Sequence, residues 1–441
     1  MGSKYSSKRS TASSIIRDLK RPVKKVIYLF TTRSQTALRI YNDLRKKKRV
    51  RRYNKYAAEP VDDKLVLFEA FMGRKYADSP KAIYEYMLHA SEYSEYRFVW
   101  FFKDRCMDEH LFLEENDRTS LVLWGSPEYY ETYARAKYWF ANSRIPDSIG
   151  IKPNQVYVQC WHGTPLKRLG FDIEVSGEDG HASVEAMRER YLVDAARYTY
   201  MLSPSRYCTE KLISAFGLDR ISKEDIMIEE GYPRNDDIVN RTPERVAEIK
   251  RNLGIPEDKK VILYAPTYRD NQHVVGLGYI YDTPIEFDSF REKLGEDCVV
   301  LYRTHYFVTQ TIDFDEYQGF IYDVSLYSDI NDLYIISDML ITDYSSVFFD
   351  YGILKRPIIF YMYDLKYYQD ELRGFYLTLD ELPGPVVETQ EELEDKLLHL
   401  DDWAQSDDYI SKYKEFSDRF TYLDDGHAAE RVVKRIFGAD A

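Results

Sequence analysis

The stretch Asp338-Met-Leu-Ile-Thr342-Asp343-Tyr344-Ser345-Ser346-Val347-Phe-Phe-Asp350 decides how this chain folds. Met339 to Thr342 has the length and apolar character of a short buried strand, and the apolar run after the two serines continues as a helix. Ser345 and Ser346 suit the N-cap between them. A strand that passes directly into a capped helix is the repeating unit of a parallel sheet flanked by helices. The free N–H groups and the dipole of such a helix start favour an anion, and the serine hydroxyls add donors. Ordinary capping with no ligand would use the same residues.

The same alternation extends outward from this stretch. Twelve candidate strands lie at 64–69, 96–101, 120–124, 137–141, 156–160, 198–202, 226–229, 261–265, 298–302, 319–323, 339–342 and 357–361, with helical patterns between them. Twelve is too many for one compact doubly wound sheet. The Gly231-Tyr-Pro-Arg-Asn235 turn divides the chain best, with a helical Thr242 to Leu253 opening the second half. The expected organisation is α/β: a leader at 1–60, a first Rossmann-like domain at 61–235 and a second at 236–441. Residues 136–143 and 338–346 echo each other as apolar strands ending in small polar residues, so two similar folds facing a ligand cleft are expected.

With 441 residues, 44% of them hydrophobic, the chain has material for two cores and is not a disordered protein. Its net charge of -13 conceals a division: residues 1–56 hold 18 Lys and Arg against two acids, leaving 43 basic and 72 acidic residues for the remainder. After Pro22, the residues Val23, Val26, Ile27, Phe30, Ala37, Leu38, Tyr41 and Leu44 recur at helical spacing, and the run Arg45 to Arg52 is almost wholly basic. Such a basic amphipathic segment fits an anionic membrane surface. A helix packed on the acidic body, or a solvated tail, is the alternative, and nucleic acid is not expected because no groove-reading motif is present. No apolar stretch has the length of a membrane span and no signal peptide is evident, so the chain is expected in the cytoplasm, with the basic leader meeting the inner membrane face. Four scattered cysteines without a C-x-x-C pair are expected to be reduced thiols.

Chemistry concentrates where strands end. Val156-Tyr-Val-Gln-Cys-Trp161-His162-Gly163-Thr164-Pro165 puts a histidine at a strand's carboxyl end beside a tight turn, where it can serve as a general base or merely bond the turn. Thr164 and Pro165 have the order of an N-cap and first helical residue, so a helix is expected after them. Leu301-Tyr-Arg303-Thr-His305 offers an arginine fork and a histidine on one side of an extended segment, suited to phosphate oxygens or to a structural ion pair. Arg234 in the dividing turn, and Thr267 and Arg269 after the 261–265 strand, are further polar groups at strand ends. The chain has no G-x-x-x-x-G-K-[ST] loop, no dinucleotide fingerprint and no spaced His cluster, so no obligatory metal or cofactor is expected.

Taken in order, Trp161-His-Gly-Thr-Pro-Leu-Lys167, Gly231-Tyr-Pro-Arg-Asn-Asp236, Ala265-Pro-Thr-Tyr-Arg269, Arg303-Thr-His305, Thr342-Asp-Tyr-Ser-Ser346 and Arg373-Gly-Phe-Tyr376 resemble the CDP-glycerol glycerophosphotransferase family of teichoic acid synthesis. The resemblance runs from about Lys64 to Val433. It implies a GT-B arrangement of two Rossmann-like domains, peripheral membrane binding, and CDP-glycerol or CDP-ribitol as donor. A lipid-linked acceptor hydroxyl would attack the β-phosphorus and release CMP. His162 and His305 fall on the family's two important histidines; His162 is expected to take the hydroxyl proton, although the division of roles between them stays open.

On that reading Arg303, His305, Ser345 and Ser346 would neutralise the diphosphate, with Gly163, Thr164, Arg234, Thr267, Arg269, Thr342 and Asp343 as further substrate contacts. The long basic leader departs from the family pattern, and oligomerisation through a C-terminal extension is not expected. Two competitors remain: a GT-B glycosyltransferase using a nucleotide sugar, and a catalytically silent membrane-surface scaffold. Turnover of CDP-polyols against UDP-sugars separates the first, and nucleotide binding without turnover would mark the second.

Overall fold

The computed structural model describes residues 35–173, 184–267, 273–274, 278–280, 284–304, 308–309, 314–366 and 374–438. All twelve expected strands form, with small shifts at their ends. The first half carries β1 (Asp62–Glu69), β2 (Arg97–Phe102), β3 (Thr119–Leu123), β4 (Ala136–Ala141), β5 (Val156–Gln159), β6 (Tyr200–Ser203) and β7 (Met227–Glu229). They pair in parallel in the order β3-β2-β1-β4-β5-β6-β7.

The second half contains β8 (Lys260–Ala265), β9 (His273–Val274), β10 (Gly278–Ile280), β11 (Cys298–Tyr302), β12 (Val308–Thr309), β13 (Ile321–Asp323), β14 (Met339–Thr342), β15 (Ile358–Tyr361) and β16 (Val386–Val387). Its main sheet is also parallel, in the order β13-β11-β8-β14-β15-β16, while β9, β10 and β12 make a small separate sheet. Both main sheets therefore run third, second, first, fourth, fifth, sixth, and the first adds a seventh strand at its edge. The echoing segments 136–143 and 338–346 contain the two fourth strands, β4 and β14. In each sheet the strand order reverses beside that fourth strand, and this is where open α/β sheets bind ligands. β16 and the small sheet fall outside the twelve expected strands.

Parallel strands covered on both faces should be apolar throughout, and β4, β11 and β14 are almost wholly buried. In the first half the core is aromatic. Phe68 pairs in register with Trp100 on one side and Phe140 on the other, and its ring stacks on each at 5.3 Å. Such cross-strand pairs contribute about 0.2–1 kcal/mol each. The expected helix after Thr242 forms as Pro243–Leu253: the Thr242 hydroxyl accepts from Arg245 N at 3.2 Å, and left-handed Gly254 ends it.

Two features depart from the linear reading. No helix starts at Thr164 and Pro165; instead Leu166 to Arg168 bond to the second half, with Lys167 bridging Phe375, Tyr376 N donating to Leu166 O at 2.9 Å and Arg168 N donating to Gly374 O at 3.2 Å. Backbone pairing with that strand-like partner satisfies the groups that a helix would have satisfied internally. The helix Ala428–Phe437, the last described element, packs into the core of the first half through Val432, Val433, Ile436 and Phe437. Gly231 makes room for it: a Cβ there would lie 3.0 Å from that of Ala428, and the residue's φ of +91° suits glycine.

Of the basic leader, the helix Gln35–Asn54 is described, and it runs through the basic residues rather than stopping before them. Its end docks on the body, where Tyr53 is buried and donates its hydroxyl to Gly150 O at 2.7 Å, and Lys46 pairs with Asp147 at 2.8 Å. Leu38, Ile40 and Leu44 remain exposed. Among the described residues no helix is long and apolar enough to cross a membrane. All four cysteines are free, and three are buried.

Candidate active site

The carboxyl ends of the two sheets line one cavity of about 400 Å³. Phe71, Arg74, Lys75, Asp78 and His162 come from the first half; Thr267, Arg303, Thr304, Ser325, Ser345 and Ser346 come from the second, with Arg234 and Asp350 also in the lining.

Three adjacent strand ends position His162. After β1, the Phe71 N–H donates to the Asn142 side-chain oxygen at 2.8 Å. Asn142 follows β4, and its main-chain oxygen is 2.8 Å from His162 Nδ1. A carbonyl only accepts, so Nδ1 carries the hydrogen and the neutral ring's lone pair is on Nε2. The preceding Trp161 sits at φ 52°, in the left-handed region unusual for a bulky residue, and its N–H is held by the Gln159 side chain at 3.0 Å. The Trp161 ring packs 4.1 Å from the imidazole. The ring of His162 faces the cavity, yet surrounding protein desolvates it and lowers its pKa from the ordinary histidine value, against the opposing pull of the Asn142 bond and Asp78. A neutral imidazole with a fixed tautomer can accept a proton near pH 7.

The second half repeats this device. Asp343, the residue after β14, accepts from Thr267 N at 2.8 Å, just as Asn142 after β4 accepts from Phe71 N. Thr342 donates to Ala265 O at 2.8 Å. Thr342 and Asp343 are thus buried behind the cavity wall and hold β8 and β14 ends together, while Thr267 lines the cavity itself. Ser346 stands at the N-cap of a five-residue helix, Val347–Tyr351, but its hydroxyl makes no capping bond. It lies instead against the first half, 3.1 Å from where a Cβ on Gly163 would be. Gly163 and Thr164 are not in the lining, and Thr164 is buried.

Arg303 directs one guanidinium nitrogen to the carbonyls of Val324 at 2.8 Å and Tyr327 at 3.1 Å. Burial lowers its pKa, though an arginine remains charged. Arg234 is buried and joins the two halves: it bonds both carboxylate oxygens of Asp350, at 3.0 and 3.1 Å, and approaches Asp78 at 3.5 Å. Those two carboxylates raise its pKa against the effect of burial. His305 and Arg269 lie outside the described residues.

Asn142, Lys75, Asp78 and Asp350 are site residues that motif reading passed over. Asn142 was visible only as a small polar residue ending an echoing strand; nothing local marks Lys75 or Asp78. Among the described residues no three His, Cys, Asp or Glu side chains gather as a metal site requires.

Comparison with known proteins agrees with this geometry. Residues 52–438 match the family model CDP-Glycerol:Poly(glycerophosphate) glycerophosphotransferase. The chain is 42% identical over 376 residues to a teichoic acid glycerol-phosphate transferase of Staphylococcus aureus, covering 85% of this chain and 92% of that protein. It is 42% identical over 375 residues to a teichoic acid poly(glycerol phosphate) polymerase of Staphylococcus epidermidis, covering 84% of this chain but only half of that longer protein. A solved structure of the wall teichoic acid polymerase TagF, soaked with CDPG, superposes with a TM-score of 0.80 at 39% identity, covering 92% of this chain and 97% of that one. Two Rossmann-like halves facing a cleft are the GT-B arrangement, and this chain belongs to the CDP-glycerol:poly(glycerophosphate) glycerophosphotransferase family.

Proposed function

We propose that the protein transfers a polyol phosphate from a CDP-polyol to a hydroxyl of a lipid-linked acceptor, releasing CMP, at the cytoplasmic face of the membrane. CDP-glycerol is the favoured donor, because the relatives at 42% identity are named for glycerol phosphate. CDP-ribitol is the second donor to test. The observation that carries the reading is His162: its Nδ1 is committed to Asn142 O, and its ring faces a cavity whose far wall presents Arg303, Ser345 and Ser346.

In this mechanism Nε2 of His162 takes the acceptor hydroxyl's proton as the oxygen attacks the β-phosphorus. The bond from that phosphorus to the bridging oxygen breaks, and CMP leaves with the electron pair. Arg303 and the serine hydroxyls stabilise the charge on the diphosphate, a contribution often larger than that of the base. His305 is assigned to the same task on its motif alone. Arg234 orders the cleft by tying Asp78 to Asp350. The basic helix Gln35–Asn54, with Leu38, Ile40 and Leu44 exposed, supports an anionic membrane surface as the protein's docking partner.

The test is CMP release from CDP-glycerol, and separately CDP-ribitol, with a lipid-linked primer. Release should require the acceptor and should fall about 100- to 10,000-fold in His162→Ala. A loss below about tenfold in folded protein would remove His162 as the base, and absence of release from both donors would overturn the reading.

A further inference from the structure

Lys75 belongs to the loop after β1 in the first half, and motif reading gave it no role. Its Nζ crosses the cleft and donates to Ser328 O at 3.1 Å. The neighbouring carbonyl, Tyr327 O, accepts from Arg303 at 3.1 Å. Two cations from opposite halves therefore hold adjacent carbonyls of one loop and line one cavity. Among the described residues neither forms an ion pair with a carboxylate: Asp329, the acid that acts on both, is engaged by Lys81 at 2.9 Å, while Asp78 and Asp350 are engaged by Arg234. Partly buried positive charge bonded only to neutral oxygens is costly unless an anion joins it.

We infer that Lys75 is a phosphate-binding residue, delivered by the first half to the diphosphate that Arg303 meets from the second, so that donor binding draws the two halves together. This rests on the proposed CDP-polyol donor and adds a contact from the opposite half to that site. A diphosphate between the two cations would supply the missing counter-charge to both and replace one carbonyl contact with charge-assisted bonds. The charged and titratable groups around Lys75 are Arg303 and Asp329, with Arg74, Asp78, His162 and Arg234 on the same cavity. Burial and Arg303 push its pKa down to about 8, and an anion beside it would raise that value.

Calorimetric titration of the full chain with CDP at pH 8, in two buffers of different ionisation enthalpy, tests this. Wild-type protein should bind CDP with proton uptake. Lys75→Met should bind it about 10- to 100-fold more weakly. Lys75→Arg should recover most of the affinity but lose the uptake, a signature that a purely structural tie to Ser328 would not produce and that uptake by His162 would not remove. Unchanged CDP affinity in Lys75→Met, or uptake that persists in Lys75→Arg, would overturn the inference while leaving the proposed function standing. Weaker binding of glycerol 3-phosphate with CDP binding intact would also overturn it, by assigning Lys75 to an acceptor phosphate. Failure of wild-type protein to bind CDP would instead bring down the donor reading and this inference with it.

Discussion

Gly163 and Ser346 meet across the cleft: a methyl group on Gly163 would stand 3.1 Å from the Ser346 hydroxyl oxygen. One belongs to the loop that carries His162 and the other to the start of the Val347–Tyr351 helix, so this contact sets how closely the proposed base approaches the proposed phosphate donors.

Gly163→Ala should therefore slow CMP release by roughly tenfold with little change in melting temperature, since misplacement by a fraction of an ångström is costly to a reaction and cheap to a fold. Steady-state kinetics beside a thermal melt would check it. Wild-type rates in the variant would mean that Ser346 can move without consequence.

The acid limb of kcat/KM should lie below pH 6.5. Desolvation lowers the His162 pKa, and only the neutral ring can accept a proton, so activity is full above that pKa and falls as pH drops through it. A pH–rate profile with its acid limb above 6.5 would assign the base elsewhere.

Arg234→Met should destabilise the protein by about 3–5 kcal/mol, because it leaves Asp350 and Asp78 buried without their shared cation. Urea unfolding measures this directly. A change below about 1 kcal/mol would mean that both carboxylates become protonated or hydrated at little cost.

Phe437→Ala should cost about 3–5 kcal/mol and act on the first half of the fold, where the ring lies 4.1 Å from Tyr138 and 5.4 Å from both Tyr93 and Tyr96. Trp100, Trp124, Trp139 and Trp161 all lie in that half, so tryptophan fluorescence should register the loss. An effect confined to the second half would contradict the packing.

Much of the site could be read from strand ends. His162, Arg303, Thr267, Ser345 and Ser346 all follow strands by one to four residues, and each lines the cavity. Asp343 and Thr342 were legible as strand-end polar residues, but their role as ties between β8 and β14 appeared only once strands distant in sequence were paired. The echo of 136–143 in 338–346 reflected a real equivalence, down to the bond that Asn142 and Asp343 each make to the end of a first strand. Thr164 caps no helix because the backbone just after it bonds to residues 374–376, more than two hundred residues away.

The order of strands and helices, and the polar residues that stand at strand ends, could be read along the chain because apolar period and capping chemistry are local and act within a few neighbouring residues. Only the folded chain shows that Arg234 is neutralised by one acid from each side, that Lys75 arrives beside Arg303, and that the Ala428–Phe437 helix returns to the first core. Each of these depends on burial and charge pairing between segments far apart in the chain, where desolvation makes the partner matter more than the residue itself.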